Sequence, residues 1–143
     1  MVNKKAFLMH RKNLTRLNIL VVEDVAETRD GIEKLLNADG YYVAVARDEQ
    51  DAIESARRES PNLILISLAG LPGEVVATAR RIREHADLGH LVPVVIFCVE
   101  SIDEGEDLAV GENVHVSRPD NFNQLRRLLA RLLSEVPTVP LAA

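Results

Sequence analysis

Pro61-Asn62-Leu63-Ile64-Leu65-Ile66-Ser67 is the stretch that decides the fold of this chain of 143 residues. An unbroken apolar run follows a proline and stops at a small hydroxyl residue, just before the loop Leu68-Ala69-Gly70-Leu71-Pro72-Gly73. A run without polar alternation is the pattern of a strand buried on both faces. Such a strand needs helices on both sides, so it predicts an α/β sandwich with this strand near the middle. Ser67 then lies at the carboxyl end of a central strand, where open parallel sheets place their ligands.

Working outward, Asn18-Ile19-Leu20-Val21-Val22 is a second continuous apolar strand, and it ends in Glu23-Asp24. Adjacent carboxylates repel each other unless they are solvated, paired with a cation or used to hold a metal. A helix is predicted over residues 26–38, with Ile32, Leu35 and Leu36 on one face and Gly40 as its stop. Tyr41-Tyr42-Val43-Ala44-Val45-Ala46 is the second strand in chain order. Asp48 then caps a helix over 49–59. Beyond the central strand, a helix over 74–84 ends in Arg80-Arg81-Ile82-Arg83, where positive charge complements the helix dipole. Val92-Pro93-Val94-Val95-Ile96-Phe97-Cys98-Val99 is the fourth strand, the acidic stretch 101–110 a weak helix, and Asn113-Val114-His115-Val116-Ser117 the fifth strand. The last helix, over 121–134, carries the stripe Phe122, Leu125, Leu128, Leu129, Leu132 and Leu133.

Five strands alternating with five helices predict a flavodoxin-like, doubly wound five-stranded parallel sheet, order 2-1-3-4-5, with helices on both faces. The carboxyl ends that should carry chemistry are Glu23-Asp24, Ser67, Cys98 and Arg118. The length suits one domain, assigned to 18–134, with a basic leader over 1–17 and a short tail over 135–143. A net charge of -5 supplies no general attraction to nucleic acid or anionic lipid. A single cysteine forms no internal disulfide and fits a reducing compartment, and no apolar run reaches the roughly 18 residues of a membrane span. The chain is therefore expected to be cytoplasmic.

The motifs in order resemble the receiver domain of bacterial two-component response regulators. The resemblance rests on Ile19-Leu20-Val21-Val22-Glu23-Asp24, Gly40-Tyr41, Asp51-Ala52, Pro61-Asn62-Leu63-Ile64-Leu65, Val92-Pro93-Val94 and Arg118-Pro119. It implies a pocket in which the acid pair and an aspartate ending strand three bind Mg²⁺, and that aspartate takes a phosphoryl group from a histidine kinase. A Ser or Thr after strand four and a Lys after strand five contact the phosphoryl oxygens. In this sequence the aspartate position holds Ser67, the hydroxyl position Cys98 and the lysine position Arg118, while Glu23 and Asp24 keep the acid pair. Leu71-Pro72-Gly73 falls one residue later than the family's usual loop, and the stretch between Cys98 and Gly111 is shorter.

A neutral hydroxyl is a poor nucleophile without a positioned base, and losing one of three carboxylates weakens a site for Mg²⁺. The expectation is thus an atypical, non-enzymatic receiver that needs no cofactor and keeps at most a weak Mg²⁺ site at Glu23 and Asp24. Arg118 is expected to bridge to Asp24 or Glu23. Ser67 most simply closes a strand, since no Gly-x-Ser-x-Gly surrounds it, and Cys98 is most simply a core thiol. His115 falls where the family often has an aromatic residue that reports activation. By resemblance, partners are a histidine kinase, an output protein or a second receiver, with a homodimer through the fourth helix, fifth strand and fifth helix, residues 102–133. The alternatives are a regulator still phosphorylated on another acid such as Asp24, and a flavodoxin-like small-ligand binder or hydrolase using Ser67.

Overall fold

The structure is a computed structural model that describes residues 16–97 and 102–135. Among the described residues six strands form one sheet: β1 (Asn18–Glu23), β2 (Tyr42–Ala46), β3 (Leu63–Ser67), β4 (Val94–Phe97), β5 (Asp107–Gly111) and β6 (Val114–Ser117). Their order is β2-β1-β3-β4-β6-β5. Five of them run parallel in the expected order, and β5 is added antiparallel to β6 at the edge. The helices are α1 (Ala26–Ala38), α2 (Glu49–Arg58), α3 (Pro72–His85) and α4 (Phe122–Ser134).

The central strands are buried on both faces, as their apolar runs require. Ile19, Val21, Leu63, Leu65 and Val95 pack with Leu36 of α1 and with Leu125, Leu128, Leu129, Leu132 and Leu133 of α4. Leu20, Val22, Ile64, Ile66 and Ile96 pack with Ala52, Ile53 and Ala56 of α2 and with Val75, Ala79 and Ile82 of α3. Each fully buried Leu or Ile side chain contributes about 1.5–3 kcal/mol relative to exposure, so most of the stability resides in these two layers.

Local chemistry sets the helix ends. Asp48 accepts from the Asp51 backbone N–H at 2.9 Å, as a capping residue should. Gly40 follows α1 with φ +98°, a left-handed conformation that side chains avoid. Pro72 lies in the first turn of α3, so this helix starts two residues earlier than its apolar pattern indicates. The arginine run at its end does more than offset a dipole. Arg81 pairs with Glu49 of α2 at 2.8 Å, Arg80 with Glu112 at 3.4 Å, and Arg83, only 2% exposed, donates to the Val92 carbonyl at 3.1 Å.

The expected weak helix over 101–110 is a correction: residues 107–111 form β5, and four helices, not five, are present among the described residues. The reason is local. Gly105 and Gly111, with φ +87° and +104°, bracket a segment too short to nucleate a helix on its own. Glu112 and Asn113 then take φ +55° and +62°, the two positive values of a type I′ hairpin turn. Asn113 therefore belongs to the turn, and β6 starts at Val114. A partner face built on a fourth helix is corrected with it, because the edge there is a strand.

The hairpin is fastened at its open end. Ser117, fully buried, donates to Asp107 Oδ1 at 2.6 Å. Asp107→Ala leaves that hydroxyl without its acceptor and should cost about 1–3 kcal/mol in urea unfolding. Adding Ser117→Ala should restore part of the loss, and equal stability of Asp107→Ala and the native chain would show that the bond contributes nothing.

Candidate functional site

The carboxyl end of the parallel strands is assembled by register. Glu23 lies opposite Ser67, Phe97 opposite Ser117, and Ser117 opposite Asp107. Ser67 follows the pair Ile66–Ile96 by one residue, which sets it level with Phe97. These five residues make one row across the sheet, and a row shares one face. With strands about 4.8 Å apart, the Glu23–Ser67 pair and the Ser117–Asp107 pair stand at opposite ends of the row with the Phe97 ring between them. They are two separate polar sites.

At the first of them, Ser67 is half-buried and its Oγ donates to Glu23 Oε1 at 3.2 Å. Glu23 is 5% exposed, and its other carboxylate oxygen accepts from the Val25 backbone N–H at a long 3.5 Å. Burial pushes the Glu23 carboxyl above the usual range, and the neighbouring Asp24 adds to the rise. Asp24 itself is exposed. Arg29 of α1 reaches the Glu23 backbone carbonyl at 2.9 Å, so a cation that the sequence did not single out stands at the base of this site.

Arg118 does not join the acid pair. Its Nη1 donates to the Ile102 carbonyl at 3.2 Å, and among the described residues no ion pair links it to Glu23 or Asp24. The cause is the hairpin: the Arg118 N–H donates to Glu106 O at 3.0 Å and its carbonyl accepts from Gly105 N at 2.6 Å. These bonds turn the residue toward the 102–106 loop. Gln124 completes the clamp, donating to Gly105 O at 2.6 Å and accepting from Asp120 N at 2.8 Å. Gln124 was missed because a polar residue in the first turn of an amphipathic helix is unremarkable in a sequence.

Cys98 lies outside the described residues. His115 lies in the middle of β6, away from the carboxyl end, with Nε2 at 2.9 Å from Asn113 Oδ1. Burial and the nearby Arg131 lower its pKa, which favours the neutral ring. The structure thus brings Ser67, Glu23 and Asp24 together and leaves Arg118 and His115 elsewhere. Among the described residues no three His, Cys, Asp or Glu side chains converge as a metal-binding group.

The response regulator receiver domain model matches residues 19–130. This chain belongs to that family. The receiver domain is 31% identical over 119 residues to the two-component response regulator PhoP of Pseudomonas aeruginosa, covering 82% of this chain and 52% of PhoP. It is 29% identical over 136 residues to the sensor histidine kinase AruS of the same organism, covering 92% of this chain but 13% of AruS. Among solved structures, the receiver domain of the histidine kinase PA1611 from P. aeruginosa shares 28% identity with a TM-score of 0.64, over 84% of this chain and 99% of that one. This is a receiver domain of two-component signalling, and no helix among its described residues is long and apolar enough to cross a membrane.

The raised Glu23 carboxyl makes stability depend on pH. Between an ordinary glutamate value of about 4.3 and the higher value in the fold, the native state binds more protons than the unfolded chain. Stability is therefore lost as pH rises through that window. Glu23→Gln keeps an acceptor for Ser67 and removes the buried charge. In Mg²⁺-free urea unfolding its stability relative to the native protein should increase from pH 4 to pH 7; a constant difference would mean that the carboxylate is not disfavoured by burial.

Proposed function

We propose that this receiver domain works without aspartyl phosphorylation, as a non-enzymatic protein-interaction module of two-component signalling. The observation that supports this is the Ser67 hydroxyl at the carboxyl end of β3, donating to Glu23. Ser67 stands where the family's phospho-accepting aspartate would stand. A phosphoryl-accepting carboxylate there would be anionic and would serve the metal as well. A hydroxyl at neutral pH is neither.

The rest of the pocket has moved in the same direction. Arg118, at the position of the family's phosphate-contacting lysine, donates from Nη1 to the Ile102 carbonyl. The PA1611 receiver domain has a magnesium ion coordinated in its active-site cleft. Mg²⁺ demands six oxygens in near-octahedral order and keeps several waters. Here it would be held by Asp24, with Glu23 as a reluctant second ligand because its carboxylate is buried and favours its proton. That donor set fits a weak site and no more. Partners would be a histidine kinase, an output protein or a second receiver. The surface offered to them is α4 with β6 and the edge strand β5.

Intact-mass analysis after incubation with acetyl phosphate and Mg²⁺, with Ser67→Asp beside the native chain, tests the proposal. No phosphoryl mass on the native chain and a clear gain on the variant is the expected result. Phosphoryl mass on the native chain, with peptide mapping to Asp24, would replace this function by that of a working switch with a displaced acceptor.

A further inference from the structure

β5 stands last in the sheet order, so one of its edges pairs with β6 and the other is open. Its hydrogen bonding fixes which groups are free. The Arg118 N–H donates to Glu106 O at 3.0 Å, and bonded and non-bonded pairs alternate along an antiparallel ladder. Leu108, opposite Val116, is therefore bonded to β6, while Asp107 opposite Ser117 and Ala109 opposite His115 turn their N–H and C=O groups outward. The 2.6 Å bond between the Ser117 and Asp107 side chains agrees, because side chains stand closer in non-bonded pairs. Among the described residues no turn, loop or cap bond takes these outward groups. Arg80 closes the edge one residue later, at the Val110 carbonyl, so the open segment is 107–109.

The side chains along this edge are of two kinds. Leu108 lies in register with Val116 and through it with Ile96, which places its side chain on the α3 side of the sheet, yet it is 50% exposed. Val110 packs against the same layer, so an added strand meets an apolar shelf there. Around the shelf the charge has one sign. Asp103, Glu104, Glu106, Asp107 and Asp120 are exposed, and among the described residues none of them has an ion pair. Arg80 pairs with Glu112 instead, and Arg118 donates to the Ile102 carbonyl. Like charges on an edge discourage pairing with a second copy of the same strand. They favour a strand of opposite charge.

We propose that the open edge of β5 docks an extended cationic segment of a partner protein, added antiparallel as a further strand of the sheet. Backbone bonds to Asp107 and Ala109 supply affinity, and the side chains of the segment supply selectivity. The residue opposite Leu108 points to the α3 side and is apolar. Its neighbours point to the other face, where a lysine or arginine meets Asp107, and a second cation one residue further meets Glu106. This docking rests on the reading of the domain as an interaction module, and it needs neither a phosphoryl group nor a metal.

The test is an NMR titration of the full ¹⁵N-labelled chain, free of Mg²⁺ and phosphoryl donor, with the peptide acetyl-Val-Thr-Val-Lys-Lys-amide. One control peptide is N-methylated at the Thr and at the first Lys, and a second carries Glu in place of both Lys. Saturable shifts at the Asp107 and Ala109 amides are expected with the first peptide, and affinity weaker by about tenfold or more with either control. Ala109→Pro removes an outward N–H and leaves the bonds to β6 in place, so it should weaken binding by about tenfold. Glu104→Gln with Glu106→Gln, which keeps the side-chain acceptors, should weaken binding and flatten its salt dependence. No saturation, equal affinity for either control peptide, or binding unaltered by both variants would overturn the proposal. So would concentration-dependent shifts at the same amides without peptide, which would assign the edge to a second copy. The acetyl phosphate experiment reads the Ser67 pocket alone, so failure of that reading and failure of this docking are separate results.

Discussion

Burial of β1 and β3 on both faces is the constraint on which the rest of this receiver domain depends. From Ile19 to Val22 and from Leu63 to Ile66 every residue is at most 1% exposed, so neither strand has a solvent side. Parallel neighbours satisfy their backbone groups in the plane, and helices must cover them above and below. That requirement brings α1 and α4 to one face and α2 and α3 to the other. Polar chemistry is excluded from the strand bodies and left to their ends. Glu23 and Ser67 are the first residues at which the two central strands leave the apolar core, and their register makes them neighbours.

The character of the carboxyl-end site follows from this placement. Glu23 is close enough to the core to be desolvated and close enough to Asp24 to feel a second negative charge, and both effects favour its protonated form. A serine opposite it adds one hydrogen bond and no charge. With an aspartate there instead, three carboxylates would crowd one end of the sheet, and a divalent cation would be needed to hold them together. With the serine, the acid pair is held by Arg29 on the Glu23 carbonyl and by solvent at Asp24.

The hairpin of β5 and β6 has consequences at both of its ends. At the carboxyl end its register draws Arg118 and Gln124 onto the 102–106 loop, which removes a cation from the acid pair. At the other end Arg80 and Glu112 tie it to α3, and Arg80 also donates to the Val110 carbonyl at 3.4 Å, blunting part of the open edge. Across the molecule, Arg126 grips Asp39 and so fastens α4 to the end of α1, which holds the Asp39 carboxyl below its usual range. These clamps lie on the perimeter, outside the two apolar layers.

The sequence by itself determined the two-sided core, the five parallel strands and their order, the amphipathic last helix, the Asp48 cap, and the meeting of Glu23, Asp24 and Ser67 at the carboxyl ends. Each of these is encoded in short-range pattern: unbroken apolar runs, a 3.6-residue stripe, or a capping side chain. The signal for the hairpin was present in Gly111-Glu112-Asn113 between Leu108-Ala109-Val110 and Val114-His115-Val116, but a segment of that length is read as strand only once a neighbour pairs with it. Tertiary structure alone decided that pairing, the turn of Arg118 away from the acids and the burial of Arg83. The physical reason is common to all three. Each depends on a hydrogen-bond partner that becomes available only when the elements pack, and a long polar side chain takes whichever partner the packed core leaves within reach.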